Sequence, residues 1–152
     1  MATTDDKALF VDTNVLVYAN VDAAPLHQAA LSALTAAHDA GRTIWISRQV
    51  LREFAAVRSR PQTFAEAAKP EIVIERLRYF EHTFQVADES AAVTDTLCQL
   101  MATIPIGGKQ VHDANLVATM IVHGIPALLT HNVKDFERFG ERVTVEALES
   151  SD

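Results

Sequence analysis

Near its start the chain reads Ala8-Leu9-Phe10-Val11-Asp12, four apolar residues that end at an acid. Apolar residues resume at Val15, Leu16 and Val17. A short apolar run bounded in this way predicts a buried first strand with Asp12 at its C-terminal edge. Because a buried carboxylate normally needs a partner or a metal ion, Asp12 is the first candidate functional residue.

The rest of the chain alternates between strand-like and helix-like stretches. Apolar or β-branched runs predict strands at 43–46, 84–86 and 127–130 and a short edge strand at 143–145. Apolar residues at helical spacing predict helices over 26–37, 50–57 (with Ser47 as a candidate N-cap), 72–80 and 93–104, and a further helix that has Asp113 in its first turn and stops at Gly124. Residues 59–70 fit either a loop or short helices. This alternation is typical of an α/β domain with a mainly parallel sheet.

Composition narrows the class of protein. The chain has 152 residues, 49% of them hydrophobic and 22% charged, so we expect one domain over 1–152 with its core at about 8–148. The single cysteine, Cys98, excludes an internal disulfide and a thiolate zinc cluster and favours the cytoplasm. The longest apolar region, 114–129, is interrupted by polar and helix-breaking residues, so we expect no membrane span. The net charge of −7 means that any nucleic-acid function would depend on local charge, bound metal or a partner.

Four acids are predicted to share one edge of the sheet. Asp12 closes the first strand, Glu53 lies about two turns beyond the second, Asp113 opens a helix and Asp135 follows the fourth strand. In a parallel sheet the carboxyl ends of the strands and the following helices form the ligand crevice. Carboxylates held together raise one another's pKa, and a divalent cation between them removes this cost. The pattern predicts a Mg²⁺ or Mn²⁺ site that activates water for phosphodiester hydrolysis.

Four stretches resemble, in order, the motifs of PIN-domain nucleases, and of VapC toxins in particular. They are residues 10–16 (FVDTNVL), 47–54 (SRQVLREF), 108–115 (GKQVHDAN) and 130–136 (THNVKDF). The resemblance covers nearly the whole chain and implies a PIN-like three-layer α/β/α domain with a mainly parallel central sheet. It also implies that Asp12, Glu53 and Asp113 are the core metal-binding and catalytic acids of a ribonuclease.

The resemblance assigns roles to further residues near these acids. Asn14 would support Asp12 by hydrogen bonding, and Asp135 would act as a fourth catalytic and metal-binding acid. Asn132 would orient a water or a ligand, with Thr130 fixing its loop. Many PIN domains carry an acid at the position of Asn132, so the sequence leaves open whether Asn132 or Asp135 completes the site, and whether it holds one ion or two.

The resemblance also implies partners. VapC toxins pair with a VapB antitoxin that inserts a basic side chain into the acidic site, and they usually form homodimers, for which helices over 26–34 or 72–80 could supply the surface. RNA would rely on the metal and on basic residues near the rim, namely Arg48, Arg52, Arg58, Arg60 and Lys109.

Two other α/β classes fit less well. A haloacid-dehalogenase-like phosphatase would have a second aspartate where this chain has Asn14, and a response-regulator receiver would have an aspartate within 43–47. A catalytically inactive PIN-like module that only binds a protein partner is the remaining alternative, and the retention of three mutually repelling acids argues against it. We therefore predict a cytoplasmic, Mg²⁺- or Mn²⁺-dependent endoribonuclease, the toxin of a VapBC-type pair.

Overall fold

The computed structural model describes residues 6–149, so both ends of the domain predicted over 1–152 lie outside the described residues. Within this range the chain forms five strands: β1 (Leu9–Val11), β2 (Ile44–Ser47), β3 (Gln85–Ala87), β4 (Ala127–Thr130) and β5 (Thr144–Ala147). They make one sheet in the order β3-β2-β1-β4-β5, and every neighbouring pair is parallel. The prediction of a mainly parallel sheet is confirmed, with small shifts at the strand ends.

Helices flank the sheet on both faces. Across residues 6–149 they are α1 (Thr13–Asn20), α2 (His27–Asp39), α3 (Arg48–Arg58), α4 (Pro70–Thr83), α5 (Ala91–Thr103), α6 (Gln110–His123) and α7 (Val133–Phe136), with a 3-10 turn at Glu137–Phe139. None of them is both long and apolar enough to cross a membrane. Helix α6 stops as predicted at Gly124, which takes the left-handed φ of 69°.

Strand β1 lies at the centre of the sheet and is covered from both sides. Leu9, Phe10 and Val11 are all buried, and successive side chains of a strand point to opposite faces. Helices therefore cover both faces, which is the three-layer arrangement expected. The Asp12 amide donates to the Leu129 carbonyl at 3.0 Å, so the pairing with β4 extends one residue beyond β1 and fixes Asp12 at the sheet edge.

Helix α1 was not among the predicted elements. It begins directly after Asp12, whose side chain accepts the Thr13 amide, and it buries Val15, Leu16 and Val17. These three consecutive apolar residues show no helical periodicity because all of them are buried. Between Arg58 and Pro70 the described chain contains no helix, so the loop interpretation of 59–70 is the one observed, with a small bridge between Gln62 and Ala65.

Helix α3 begins where predicted and is held against α4. The Ser47 hydroxyl accepts the Val50 amide at 3.2 Å, which makes Ser47 the N-cap. The Phe54 ring meets the Phe80 ring of α4 edge to face, with ring centres 4.8 Å apart, and both rings are buried. This contact fixes the position of the helix that carries Glu53.

Replacing Phe80 with alanine should lower the free energy of unfolding by roughly 3–5 kcal/mol, because the change leaves a cavity at the contact between α3 and α4. Urea unfolding followed by circular dichroism measures the loss. Tyr79, the next residue on α4, has a half-exposed side chain, and Tyr79→Ala should cost less than about 1 kcal/mol. Equal losses in the two variants would contradict this role of Phe80.

Candidate active site

Three of the predicted acids face one open cavity of about 410 Å³. Asp12 comes from the junction of β1 and α1, Glu53 from α3 and Asp113 from the first turn of α6. Around the three acids, the cavity is lined by Asp12, Thr13, Asn14, Gln49, Glu53, Asp113 and Asn132. The structure thus brings together side chains that are up to 120 positions apart in the numbering.

The Asp12 carboxylate is buried, 7% exposed, and is held by three donors. Its Oδ1 accepts the Thr13 amide at 2.8 Å. Its Oδ2 accepts the Thr130 hydroxyl at 2.7 Å and the Asn14 side-chain amide at 3.3 Å. Burial nevertheless raises the pKa of Asp12 to about 6, and the charge of Glu53 adds to the rise, because the hydrogen bonds only partly offset the lost hydration.

Thr130 and Asn14 join the end of β1 to the end of β4. The Thr130 oxygen, which donates to Asp12, accepts the Asn132 backbone amide at 3.0 Å and the Asn14 side-chain amide at 3.4 Å. The Asn14 side-chain oxygen in turn accepts the His131 backbone amide at 3.1 Å. Asn132 is exposed at the cavity rim. These bonds fix the loop after β4 relative to Asp12.

Two residues that sequence reasoning missed position Glu53, Thr13 by a direct hydrogen bond and Gln49 through the helix that carries it. The Thr13 hydroxyl donates to Glu53 Oε1 at 3.1 Å. Gln49, one helical turn before Glu53 and buried, donates to the His112 carbonyl at 2.8 Å and accepts from Asn115 at 2.9 Å, which ties α3 to α6. The spacing of Gln49 and Glu53 on one helix face was a usable signal; the bonds to residues more than 60 positions away were not.

Asp113 is half-buried and sits among the other acids. Burial, followed by the charges of Asp135, Asp12 and Glu53, raises the pKa of Asp113 to about 6. Asp135 is exposed on α7 and does not line the cavity, so its influence on Asp113 is electrostatic. All four acids therefore contribute to the negative electrostatic potential of the site, three of them from the cavity lining and Asp135 from outside it.

The donor set suits a hard divalent cation, although not as three direct ligands of one ion. Among residues 6–149 no three His, Cys, Asp or Glu side chains are arranged to hold a metal ion together. Mg²⁺ usually keeps several waters and is bound through one or two carboxylates. Burial is the main cause of the raised pKa values of Asp12 and Asp113, and neighbouring carboxylates raise them further; a partly hydrated cation at the cavity would favour the ionised form of both.

The basic residues divide into those that face the cavity and those that do not. Arg48 is paired with Asp88 at 2.9 Å and Glu81 at 2.7 Å, and Arg52 lies 3.8 Å from Glu89. Lys109 is exposed just before α6. Arg60 lines the cavity. The other four predicted basic residues do not, namely Arg48, Arg52, Arg58 and Lys109.

Known proteins share this sequence pattern and this fold. Residues 9–142 match the family model of the PIN domain. Ribonuclease VapC24 of Mycobacterium tuberculosis is 30% identical over 134 residues, which are 87% of this chain and 91% of that protein. VapBC2 from Rickettsia felis bound to a promoter DNA fragment has a TM-score of 0.67 at 23% identity, covering 93% of this chain and 99% of that chain. A toxin-antitoxin complex from Klebsiella pneumoniae has a TM-score of 0.64 at 24% identity, covering 94% and 98%.

The burial of Asp12 predicts an unusual pH dependence of stability in metal-free protein. Because its pKa is raised from 3.8 to about 6, the folded state binds more protons than the unfolded state between these values. The free energy of unfolding should therefore fall as pH rises through this window, by up to roughly 3 kcal/mol. Asp12→Asn should remove that contribution and stabilise the protein at neutral pH.

Urea unfolding in EDTA across this pH range measures the effect. Asp95→Asn, which changes an exposed acid on α5, is the matched control and should follow the wild type. If Asp12→Asn and the wild type showed the same pH dependence, the proposal that burial raises the pKa of Asp12 would be wrong.

Proposed function

The chain belongs to the PIN domain family, and on that premise we propose that it is a metal-dependent endoribonuclease, the toxin of a VapBC-type toxin-antitoxin pair. The observation that carries the proposal is the convergence of Asp12, Glu53 and Asp113, from three separate elements, on one cavity. The identity with Ribonuclease VapC24 over most of both chains supports the choice of RNA as substrate. A phosphodiester is the class of substrate that suits such a site.

Mg²⁺ or Mn²⁺ is the proposed cofactor, held by Asp12, Glu53 and Asp113 directly or through water, with Asp135 adding negative charge. When bound, such an ion supplies activation of a water molecule and stabilisation of the charge that develops on the phosphodiester oxygens. The protein contributes preorganised carboxylates, so that little reorganisation is needed during the reaction.

The side chains around the acids have positioning roles in this proposal. Thr130 and Asn14 fix both the orientation and the ionised form of Asp12, since their hydrogen bonds lower its pKa against the effect of burial. Thr13 fixes the Glu53 carboxylate by a direct hydrogen bond, and Gln49 fixes the helix that carries Glu53 through its bonds to α6. Asn132 presents its amide at the rim, where it can orient a water or a phosphate oxygen. Of the two residues considered for the fourth position, Asn132 lines the cavity, whereas Asp135 lies outside the lining and influences Asp113 through its charge.

The charge of the site also supports a cationic protein partner. The chain carries a net charge of −7, and several of its carboxylates surround one cavity, so a basic segment of a VapB-like antitoxin would be attracted to it. A homodimer is the other proposed assembly. Helix α4 supports it, because Ile72, Ile74 and Tyr79 expose large apolar side chains there.

An inactive PIN-like module that only binds a partner is the alternative function. It has no need for three acids that repel one another, or for the pairing of Thr130 and Asn14 with Asp12. The nuclease proposal accounts for both features.

Asp12→Asn and Asp113→Asn should each lower RNA cleavage by at least about 100-fold, because even outer partners of metal ligands contribute about 10- to 100-fold. The measurement is cleavage of purified total RNA with Mg²⁺, Mn²⁺ or EDTA, together with growth inhibition on expression. Asp95→Asn on exposed α5 is the control and should cleave like the wild type. Full activity in either site variant would refute the mechanism, and intact RNA with folded, antitoxin-free wild type would favour the binding module.

Thr130→Val should reduce cleavage by roughly 10- to 100-fold while leaving the fold intact, because it removes the shortest hydrogen bond to Asp12 and keeps the side-chain volume. Thr130→Ser keeps the hydroxyl and should restore most of the activity. The pH at which activity reaches half its maximum should rise in Thr130→Val, since that bond lowers the pKa of Asp12. Equal activity in the two variants would show that the hydroxyl is dispensable.

A further inference from the structure

The cavity has a second half that the acids do not occupy. It is lined by Val17 and Tyr18 of α1, Val57 of α3 and Phe64 of the connection between α3 and α4, with Arg60 beside them. Along both helices this half lies one turn, about 5.4 Å, beyond the residues of the acidic half. An apolar surface therefore adjoins the carboxylates within one continuous cavity.

Aromatic rings form part of this apolar half. Tyr18 meets Phe64 edge to face with ring centres 6.3 Å apart, and Tyr18 meets His131 in the same way at 5.7 Å. Tyr18 and Phe64 are only partly buried, so neither ring is fully used by the core. Partly exposed rings next to a phosphodiester site are the feature that proteins use to stack the bases of single-stranded RNA.

The segment that carries Phe64 is held in place before any ligand binds. Gln62 and Ala65 exchange backbone hydrogen bonds of 2.8 and 3.4 Å around it. The Gln62 side chain donates to the Val57 carbonyl at 3.1 Å, and the Ala68 amide donates to the Arg58 carbonyl at 2.7 Å. The loop is thus closed on the end of α3, which fixes Phe64 at the cavity wall.

Arg60 gives this half of the cavity a positive charge. It is exposed, and within residues 6–149 no carboxylate forms an ion pair with it. Arg48, by contrast, is paired with Glu81 and Asp88, and Arg52 lies 3.8 Å from Glu89. An unpaired guanidinium at the rim of an otherwise acidic cavity is suited to a phosphate group.

We propose that Tyr18, Phe64, Val17 and Val57 form a subsite for one unpaired nucleobase, next to the phosphodiester held at the acids, and that Arg60 binds an adjoining phosphate. The inference rests on the proposed nuclease function and adds to it the recognition of single-stranded RNA by base stacking. A base is joined to its phosphate through one ribose, which matches two half-cavities that are one helical turn apart. The subsite contributes to the choice of the nucleotide at the cut.

The charge of Arg60 favours RNA over a basic protein segment as the occupant of the apolar half. A basic antitoxin segment drawn to the acids would meet repulsion at Arg60, whereas a nucleotide offers a phosphate to Arg60 and an apolar base to the rings. The observations therefore favour RNA, and docking of an antitoxin at the same residues becomes an outcome of the test.

The test compares wild type, Phe64→Leu, Tyr18→Leu and Arg60→Gln in cleavage of total RNA, with every cut mapped to its nucleotide. Leucine keeps the apolar volume and removes the ring, so we expect cleavage efficiency to fall roughly 5- to 150-fold. We also expect the base preference beside the cut to weaken. Arg60→Gln, which changes an exposed residue and leaves the core untouched, should raise KM more than it lowers kcat. The controls are Met101→Leu on α5 and Arg142→Gln before β5, two exposed residues outside the cavity, and both should match the wild type.

A second measurement uses a synthetic single-stranded RNA that spans the strongest mapped cut, with the base beside the cut intact or removed. Loss of the base should slow the wild type at least as much as Phe64→Leu does, since the base also contacts the other residues of the subsite. Once the base is absent, Phe64→Leu should cost little more, since its stacking partner is already gone. Fully additive losses would show that Phe64 only supports the fold.

The outcomes separate the subsite from the nuclease proposal. Unchanged rates and cut positions in folded Phe64→Leu, Tyr18→Leu and Arg60→Gln, with wild type active, would overturn the subsite alone. Unchanged cleavage together with lost inhibition by a co-expressed antitoxin would assign these residues to protein docking instead. A wild type that cleaves no RNA with either metal would overturn both proposals.

Discussion

The burial of one carboxylate, that of Asp12, is the constraint on which the rest of this site depends. The side chain ends the central strand, caps the helix that follows it and lies at the point where the strand order reverses, between β1 and β4. Each of its oxygens needs a donor because water reaches it poorly. Thr13, Asn14 and Thr130 supply those donors, and each of them also makes a bond that positions another part of the cavity.

Much of the fold could be predicted because it follows from local patterns. Short apolar runs marked every strand, and Ser47 and Gly124 marked a helix start and a helix end by side-chain and backbone chemistry that acts within a few residues. Helix α1 could not be predicted because Val15, Leu16 and Val17 are all buried, so the stretch lacks the alternation of apolar and polar residues on which a helix prediction depends. Its start is set by Asp12, whose position is fixed by pairing with a distant strand.

In the candidate site, too, local patterns were predictable and contacts between distant residues were not. Positions near strand ends and helix starts grouped Asp12, Glu53, Asp113 and Asp135. The structure brings the first three to one cavity and leaves Asp135 outside its lining. The roles of Gln49 and Arg60 depend on what lies opposite them: Gln49 reaches α6, and Arg60 stays unpaired while Arg48 and Arg52 meet acids near α4 and β3. Such pairings join residues tens of positions apart, and no spacing rule along the chain encodes them. Residue type alone therefore cannot show which arginine is available to a ligand.

The bond between Asp12 and Thr130 spans 118 positions, and this has a consequence for biosynthesis. A chain emerging from the ribosome exposes Asp12 early and β4 only near its end, and domains fold as their parts become available. Until β4 pairs with β1, Asp12 lacks its shortest hydrogen bond and the rim that carries Asn132 does not exist. The centre is thus completed only after most of the polypeptide has been made, so a nascent chain is assembled beside ribosomal RNA while its cutting site is still incomplete.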